Sequence, residues 1–235
     1  MRTFDFYEFV GVLVPGAVAL IITQVLFGSV LSGQTLPQNL GSLGVYIILA
    51  YFIGHLIQGL ARGVEVIYWY LWKGMPTDWP VTRPAWKGGT GAISGVSKMT
   101  GKQLPEEGDE KMRLLAWQAM VRQARSTIYA IGRATRVQIF NSNYGMFRAL
   151  LTLLLLAAVA ARWATEVKPA VAMWTLLVLA ALAERRMHRF GTHYATELFA
   201  NAAAVGEAQS PTFVAGDRTD AQESSDSASE QGQGG

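Results

Sequence analysis

Apolar residues along this chain are gathered into four blocks instead of recurring at the period of a soluble helix or strand. The blocks run from about 9 to 31, 43 to 60, 146 to 163 and 167 to 183, and most charged residues lie between them. A helix of about 20 apolar residues is long enough to cross the roughly 30 Å hydrocarbon core of a bilayer. The pattern predicts an all-α protein: an integral membrane helical bundle of about four transmembrane helices with helical cytoplasmic extensions.

The four blocks divide the chain into five segments. Residues 1–72 and 146–183 are predicted to be transmembrane hairpins, and the first hairpin ends in an aromatic cluster (YWYLWK) typical of the membrane interface. Between them, residues 73–145 are predicted to hold a cytoplasmic Gly/Pro loop and a basic helix. Residues 184–205 are predicted to form a cytoplasmic amphipathic helix. Residues 206–235, rich in Ser, Gln, Gly and acidic side chains, are predicted to be a disordered tail.

The segment between the hairpins begins with a stretch rich in Pro and Gly, from Met75 to Gly108, which predicts a mostly irregular loop. Its glycine cluster, Gly88 to Gly95, misses the spacing of a phosphate-binding loop and is interpreted as a flexible linker. Asp109 and Glu110 then precede a helix predicted from about Lys111 to Phe140. Carboxylates at a helix N-terminus interact favourably with the helix dipole, which supports this start.

The basic residues predict the orientation of the spans. Of the 20 Lys and Arg residues, 13 lie between Arg62 and Arg148, whereas the loop 32–42 contains none. By the positive-inside rule, the N-terminus, the central segment and the C-terminus are cytoplasmic. The first apolar block is longer than the apolar region of a secretory signal, so we expect it to be retained as a span. Arg148 is expected to snorkel from the end of its span.

The composition fits a membrane protein and offers little catalytic chemistry. Hydrophobic residues make up 51% of the 235-residue chain and charged residues 16%, whereas a soluble domain has about 25% charged residues. The chain has no cysteine and three histidines, His55, His188 and His193, and no second histidine or acidic residue lies three or four positions from His55. The sequence contains neither a nucleophile elbow nor paired catalytic carboxylates. We therefore expect no enzyme activity, no cofactor and no bound metal.

The second block carries polar residues on one helical face. Tyr51, His55, Gln58 and Arg62 lie at offsets 0, 4, 7 and 11, which places them on one side of a helix. Polar groups at bilayer depth turn toward a partner helix or a water-filled path. This intramembrane face is predicted either to line a pore or ligand cleft, or to hold the bundle together through interhelical hydrogen bonds.

The predicted cytoplasmic helix carries a basic stripe, which we define as Lys111, Arg122, Arg125, Arg133 and Arg136. Such a stripe beside a membrane binds anionic lipid headgroups or docks a cytoplasmic protein partner. The alternative is a phosphate-bearing ligand such as a nucleotide signal, because arginine suits bidentate phosphate contacts. Stable binding to a nucleic-acid duplex is not expected.

Two places are predicted to bend the chain. Pro15 and Gly16 lie inside the first block, where a kink or local unwinding is expected. Asn143 and Gly145 belong to a polar segment just before the third block, which is predicted to be a hinge or a simple loop.

Four stretches of the sequence carry a resemblance to known proteins: FYEFVGVLVPG (6–16), YFIGHLIQGL (51–60), FNSNYGMFRAL (140–150) and RRMHRFGTHYATEL (185–198). They resemble a group of uncharacterised bacterial four-pass membrane proteins, over most of the chain except the Gly/Pro loop and the tail. The layout, a small helical bundle joined to a basic cytoplasmic module, is similar to that of pore-forming membrane effectors in anti-phage defence systems. The resemblance implies a location in the bacterial inner (cytoplasmic) membrane.

These observations lead to one functional hypothesis and two alternatives. The leading hypothesis is a non-enzymatic homo-oligomeric effector that forms a pore or perturbs the membrane in response to a cytoplasmic signal or partner, in anti-phage defence. The first alternative is a membrane anchor or scaffold that recruits a cytoplasmic partner. The second is a lipid-acting membrane enzyme.

Overall fold

A computed structural model describes residues 6–28, 40–83, 85–86, 88–105 and 109–208. In these ranges the chain forms seven α-helices and no β-strand, so the prediction of an all-α fold is confirmed for this part of the chain. The helices are α1 (Phe6–Phe27), α2 (Leu40–Leu71), α3 (Trp79–Thr82), α4 (Gly89–Thr100), α5 (Glu110–Ala130), α6 (Thr135–Ala160) and α7 (Pro169–Ala208), and a short 3-10 helix (Ala161–Trp163) follows α6.

The helices belong to two compact units. One unit comprises Met1–Pro76 and Thr135–Ala195, and we call it the bundle unit. The other comprises Thr77–Ala134 and Thr196–Gly235, and we call it the central unit. The long helix α7 contributes its first part to the bundle unit and its last part to the central unit.

In the bundle unit, α1 and α2 are antiparallel. Tyr46, near the start of α2, donates a hydrogen bond to the carbonyl of Ala17 at 3.1 Å. Gln58, later in α2, donates to the carbonyl of Gly11, earlier in α1, at 3.0 Å. From the first hydrogen bond to the second, the residue number rises along α2 and falls along α1. The two helices therefore run in opposite directions.

Two glycines allow α1 and α2 to lie backbone to backbone. A Cβ atom on Gly16 would overlap the carbonyl of Ala50, and one on Gly54 would overlap the carbonyl of Val12. Small residues at a helix crossing permit this close approach, which is common between helices in membranes. The α1–α2 contact therefore requires glycine at both positions.

The helices α6 and α7 complete an alternating arrangement. At one end of the unit, Gln58 donates to the carbonyl of Gly145 in α6 at 3.3 Å. At the other end, the amide of Thr165, after α6, donates to the carbonyl of Leu26 at 3.0 Å. The start of α1 lies at the first of these ends and its last turn lies at the second. α6 therefore runs parallel to α1.

α7 then runs parallel to α2. Glu184 accepts a hydrogen bond from the hydroxyl of Tyr68, and four residues later His188 lies with its ring centroid 4.4 Å from that of Trp72. Both pairs advance in the same sense along the two helices. The bundle unit is therefore an up-down-up-down arrangement of α1, α2, α6 and the first part of α7.

Two helices in the described part of the chain are long and apolar enough to cross a bilayer. They are Gly41–Leu71 in α2 and Thr135–Trp163, which joins α6 to the 3-10 helix. The apolar part of α1, Gly11–Phe27, is shorter. In α7, residues 169–183 carry no charged side chain, but a charged run follows from Glu184. Length and composition alone indicate two spanning helices, whereas the sequence predicts four.

The central unit packs α3, α4, α5 and the end of α7 around aromatic side chains. Trp117 is fully buried, and its indole N–H donates to the carbonyl of Thr77 at 2.7 Å. Its ring centroid lies 5.8 Å from that of Phe199, which also lies 6.0 Å from the ring of Trp86. Three aromatic rings from separate segments thus form the centre of this unit.

The prediction of a mostly irregular loop from Met75 to Gly108 is partly wrong. α3 and α4 occupy much of it, and α4 begins at Gly89, inside the cluster interpreted as a flexible linker. α4 buries Ala92, Val96 and Met99 on one face. Burial of this stripe outweighs the helix penalty of glycine, which is about 1 kcal/mol per residue.

The prediction of one helix from Lys111 to Phe140 is partly confirmed and partly wrong. α5 begins at Glu110, and the carboxylate of Asp109 caps it by accepting from the amide of Lys111 at 3.4 Å. The helix ends at Ala130, however, and Gly132 has a φ of +76°. This left-handed conformation, which favours glycine, terminates α5 before α6 begins.

The polar segment before the third block is not an interruption. Residues 141–145 lie within α6, which begins at Thr135, so the alternative of a simple loop at Asn143 and Gly145 is wrong, and the hinge stays a prediction. α1 likewise continues through Pro15 without a break, so the expected local unwinding is absent there. Buried hydrogen bonds to these segments, described below, explain their regular geometry.

Several predicted boundaries also move. α2 continues beyond residue 60 through the aromatic cluster to Leu71. The predicted fourth span and amphipathic helix are one continuous helix, α7, which includes residues 206–208 of the predicted tail. Residues 29–39, including the end of the predicted first span, and the tail from 209 onward lie outside the described residues.

Candidate functional site

A polar network lies where α1, α2 and α6 meet. At its centre, the guanidinium of Arg148 in α6 forms an ion pair with the carboxylate of Glu65 in α2. The two side chains are only 19% and 14% exposed. A buried charge left without its partner is strongly unfavourable. This pair therefore fixes α6 against α2, and Arg148 is paired where the sequence predicted free snorkelling.

The carboxylate of Glu65 also anchors a chain of aromatic donors. The hydroxyl of Tyr144 donates to Glu65 Oε1 at 2.6 Å. The indole N–H of Trp69 in turn donates to the oxygen of Tyr144, also at 2.6 Å. Trp69 and Tyr144 are both buried. Each polar group of these rings thus has a partner, which a buried polar group requires.

Gln58 connects the network to α1. Its side-chain oxygen accepts from Arg148 at 2.9 Å, while its amide nitrogen donates to the carbonyls of Gly11 and Gly145. Pro15 lies four residues after Gly11 and has no N–H, so the helix itself leaves the Gly11 carbonyl unpaired. Gln58 supplies the missing hydrogen bond, which allows α1 to continue through a buried proline.

A second polar cluster joins α2 to α7 near the same end of the bundle unit. The hydroxyl of Tyr68 contacts both Glu184 and, at 3.0 Å, Nδ1 of His188. The rings of Trp69 and Trp72 lie 5.5 Å and 4.4 Å from that of His188. His188 is thus held by aromatic rings and one hydroxyl.

The four residues of the predicted polar face of α2 do not share one environment. Gln58 is half-buried in the network, whereas Tyr51, His55 and Arg62 are exposed on the bundle unit. The rings of Tyr51 and His55 meet edge to face at 4.5 Å. The functional role predicted for this face stays a prediction.

The buried face of α2 lies one residue away from the predicted polar face. Ala50, Gly54, Ile57 and Ala61 are buried, and they repeat the spacing of the polar residues shifted by one position. One residue corresponds to about 100° of helical rotation. Ala50 and Gly54 therefore lie against α1, and Gln58 alone of the predicted polar face is turned into the bundle unit.

The basic stripe does not lie on one helix, so that part of its prediction is wrong. Lys111, Arg122 and Arg125 are exposed on α5, with the guanidinium of Arg125 5.4 Å from the ring of Tyr129. Arg133 lies in the turn after α5, and Arg136 lies on α6 in the bundle unit. Their contact with lipid, partner or phosphate ligand stays a prediction.

The other predicted positions have structural roles. Pro15 is fully buried, and Gly16 lies against the backbone of α2. The carbonyl of Gly145 accepts from Gln58, and Asn143 is half-buried within α6.

The residues that the sequence did not single out are Glu65, Tyr144 and Trp69. One signal was available: Glu65 is the only acidic residue of α2, and it lies seven residues after Gln58, on the same side of the helix. Its partner on α6 could not be identified without the packing of the two helices.

Among the described residues, no group of three or more metal-ligating side chains could hold a metal ion. The contacts of the polar network are hydrogen bonds and the ion pair of Glu65 with Arg148. Comparison with known proteins finds no matching family model, no similar curated protein and no similar solved structure.

Proposed function

We propose that the protein crosses the bacterial inner membrane four times, with both termini in the cytoplasm. Among the described residues, all exposed large apolar side chains except Met112, Leu115 and Ile131 belong to the bundle unit. Soluble proteins rarely expose apolar surface on this scale. A hydrocarbon environment accounts for it.

The position of the polar groups supports this arrangement. Glu65, Arg148 and Glu184 take part in contacts at one end of the up-down-up-down bundle, the end from which the basic central segment continues. The apolar lengths of α1, α2, α6 and α7 then extend from this end toward the turn at Thr165. This order of polar and apolar regions fits a membrane whose cytoplasmic surface lies near the ion pair. The turn after α6 would then lie on the external side.

We further propose that copies of the chain associate through the outer face of α2 and form a pore. The outer face comprises Ile48, Tyr51, His55, Gly59 and Arg62, all exposed. This face carries the proposal, because hydroxyl, imidazole and guanidinium groups on the lipid side of a helix are unfavourable. Association of copies would remove them from lipid and place them along a polar path.

Gly59 favours close approach of a second helix to this face. A Cβ atom on Gly59 would meet no atom of another described helix within 4 Å, so space is open above this glycine. Glycine on a lipid-facing surface allows helices to pack closely. The layout of a bundle with a basic cytoplasmic module fits an effector in anti-phage defence that receives its signal through the central unit.

Ion flux from liposomes containing the purified protein tests the pore. We expect flux that falls at least about tenfold in a Tyr51→Leu/His55→Leu variant, because the polar path loses its hydrogen-bonding groups. Leu56→Ala, at an exposed position on another side of α2, is the matched control and should conduct like the unchanged protein. Absence of flux with every ligand tried, or equal flux in all three proteins, would contradict pore formation.

A membrane anchor for a cytoplasmic protein is the second candidate. α5 exposes Met112 and Leu115 next to basic residues such as Lys111, a combination suited to an acidic partner with apolar contacts. This candidate predicts a complex of fixed stoichiometry and no conductance. The flux measurement therefore separates the two proposals.

A further inference from the structure

An apolar groove lies between the last turns of α1 and the first turns of α7, within the bundle unit. Its volume is about 450 Å³, in the range of about 300–1,000 Å³ typical of small-ligand sites. Side chains such as Ile22 and Val25 form the α1 wall, and Val171 and Leu176 form the α7 wall. Lys168 is the one charged residue among those that line it.

The groove is elongated and open to the side. From Lys168 to Leu176 the chain advances eight residues, or about 12 Å along a helix. Val25 and Val171 are 52% and 61% exposed, so a ligand can enter laterally. The hydrogen bond from the Thr165 amide to Leu26 ties the two walls together at one end.

The lining selects an apolar ligand with one anionic group. Among the described residues that line the groove, the hydroxyl of Thr175 is the only side-chain hydrogen-bonding group besides the ammonium of Lys168. A polar solute could satisfy few of its hydrogen bonds there. An acyl chain fits the apolar walls, and a phosphate fits the ammonium at the end where α7 begins.

We propose that this groove binds one acyl chain of an anionic phospholipid, whose phosphate contacts Lys168. The inference rests on the membrane location proposed above but not on pore formation. The charge of Lys168 selects anionic headgroups over zwitterionic ones. The nearest acidic residue along the chain, Glu166, accepts a hydrogen bond from the hydroxyl of Thr165 at 3.4 Å.

Native mass spectrometry of the detergent-solubilised protein tests the site, with phosphatidylglycerol and phosphatidylcholine as probes. We expect one retained phosphatidylglycerol, preferred over phosphatidylcholine. Lys168→Gln should reduce this preference about fivefold, in line with the usual contribution of one lysine near anionic headgroups. Arg162→Gln, an exposed basic residue outside the lining, is the matched control and should keep the preference.

Filling the groove provides a second test. Thr175→Phe places a ring in the groove and should abolish retention of the lipid, whereas Val178→Phe, exposed on the same helix outside the groove, should not. Ala172→Leu is a milder filling variant, to be used if Thr175→Phe loses helix content by circular dichroism. Equal lipid retention in the filled and control variants, or no loss of preference in Lys168→Gln, would overturn the site.

The failure of this inference is distinct from failure of the proposed function. A protein that needs detergent but retains no phospholipid at this groove overturns the lipid site and leaves the membrane location intact. A protein that stays monodisperse in buffer without detergent overturns the membrane location and the lipid site together.

Discussion

Side-chain hydrogen bonds pair polar groups that would otherwise be buried without a partner in the bundle unit. The carbonyl of Gly11 loses its helical donor because Pro15 follows four residues later, and the amide of Gln58 replaces it. The guanidinium of Arg148 is paired with the carboxylate of Glu65, although its Nε atom has no hydrogen-bond partner in the part of the chain that the structure describes. At the residue scale, a few polar side chains connect helices that are otherwise mostly apolar.

The link between Gln58 and Pro15 can be measured by a double-mutant cycle. Gln58→Leu should lower the free energy of unfolding by about 1–3 kcal/mol, because a buried carbonyl is left unpaired. In a Pro15→Ala background the effect should be about 1 kcal/mol smaller, because the new N–H of residue 15 bonds the Gly11 carbonyl. Denaturant unfolding in detergent micelles gives the four values. Simple additivity would show that Gln58 does not replace the donor that proline lacks.

At the scale of elements, small residues determine which helix faces meet. Gly16 and Gly54 bring α1 and α2 into backbone contact, and in the central unit Gly95 lies against Ala203 of α7. The glycines of α4 thus serve helix packing, where the sequence suggested a flexible linker. The same feature explains why Ala50 and Gly54 of α2 are buried while Tyr51 and His55 are exposed.

The α1–α2 crossing predicts a sharp difference between two glycine substitutions. Gly16→Ala should destabilise the bundle unit by about 2 kcal/mol or more, because the new methyl group overlaps the carbonyl of Ala50. Gly63→Ala, at an exposed site with no atom within 4 Å of a Cβ, should be neutral or slightly stabilising. Thermal unfolding in detergent compares the variants, and equal melting temperatures would contradict the close crossing.

For the whole molecule, the alternating helix directions within the bundle unit and the distribution of charge support the proposed topology of four crossings. The up-down-up-down bundle unit places the start of α1 and the end of the first part of α7 at the same side. The chain passes from α2 into the central unit, which contains the basic helix α5. In the proposed topology of four crossings, the turn at residues 161–168 lies on the external side of the membrane. The other helix connections that the structure describes lie on the cytoplasmic side.

This topology can be tested because the chain contains no cysteine. Single cysteines at Ser94 in α4 and at Arg162 in the 3-10 helix replace exposed residues. In intact spheroplasts, a membrane-impermeant maleimide should label Arg162→Cys and reach Ser94→Cys only after lysis. Labelling of both positions in intact cells, or of neither, would contradict four crossings with cytoplasmic termini.

The sequence by itself determined the helical class of the described residues and the start of α5. These properties depend on local composition and on capping by Asp109, which act over a few residues. The sequence also indicated that Gln58 belongs to a polar face, because helical spacing is a local property.

Only the tertiary structure decided which face of α2 is buried, that α4 is a helix, and that Glu65 pairs with Arg148. Each of these depends on residues distant in sequence. A shift of one residue rotates a helix face by about 100°, and the sequence has no local signal that fixes which partner helix will cover it. Packing against that partner outweighs local propensity, which is why a glycine-rich segment becomes a helix and a buried proline does not end one.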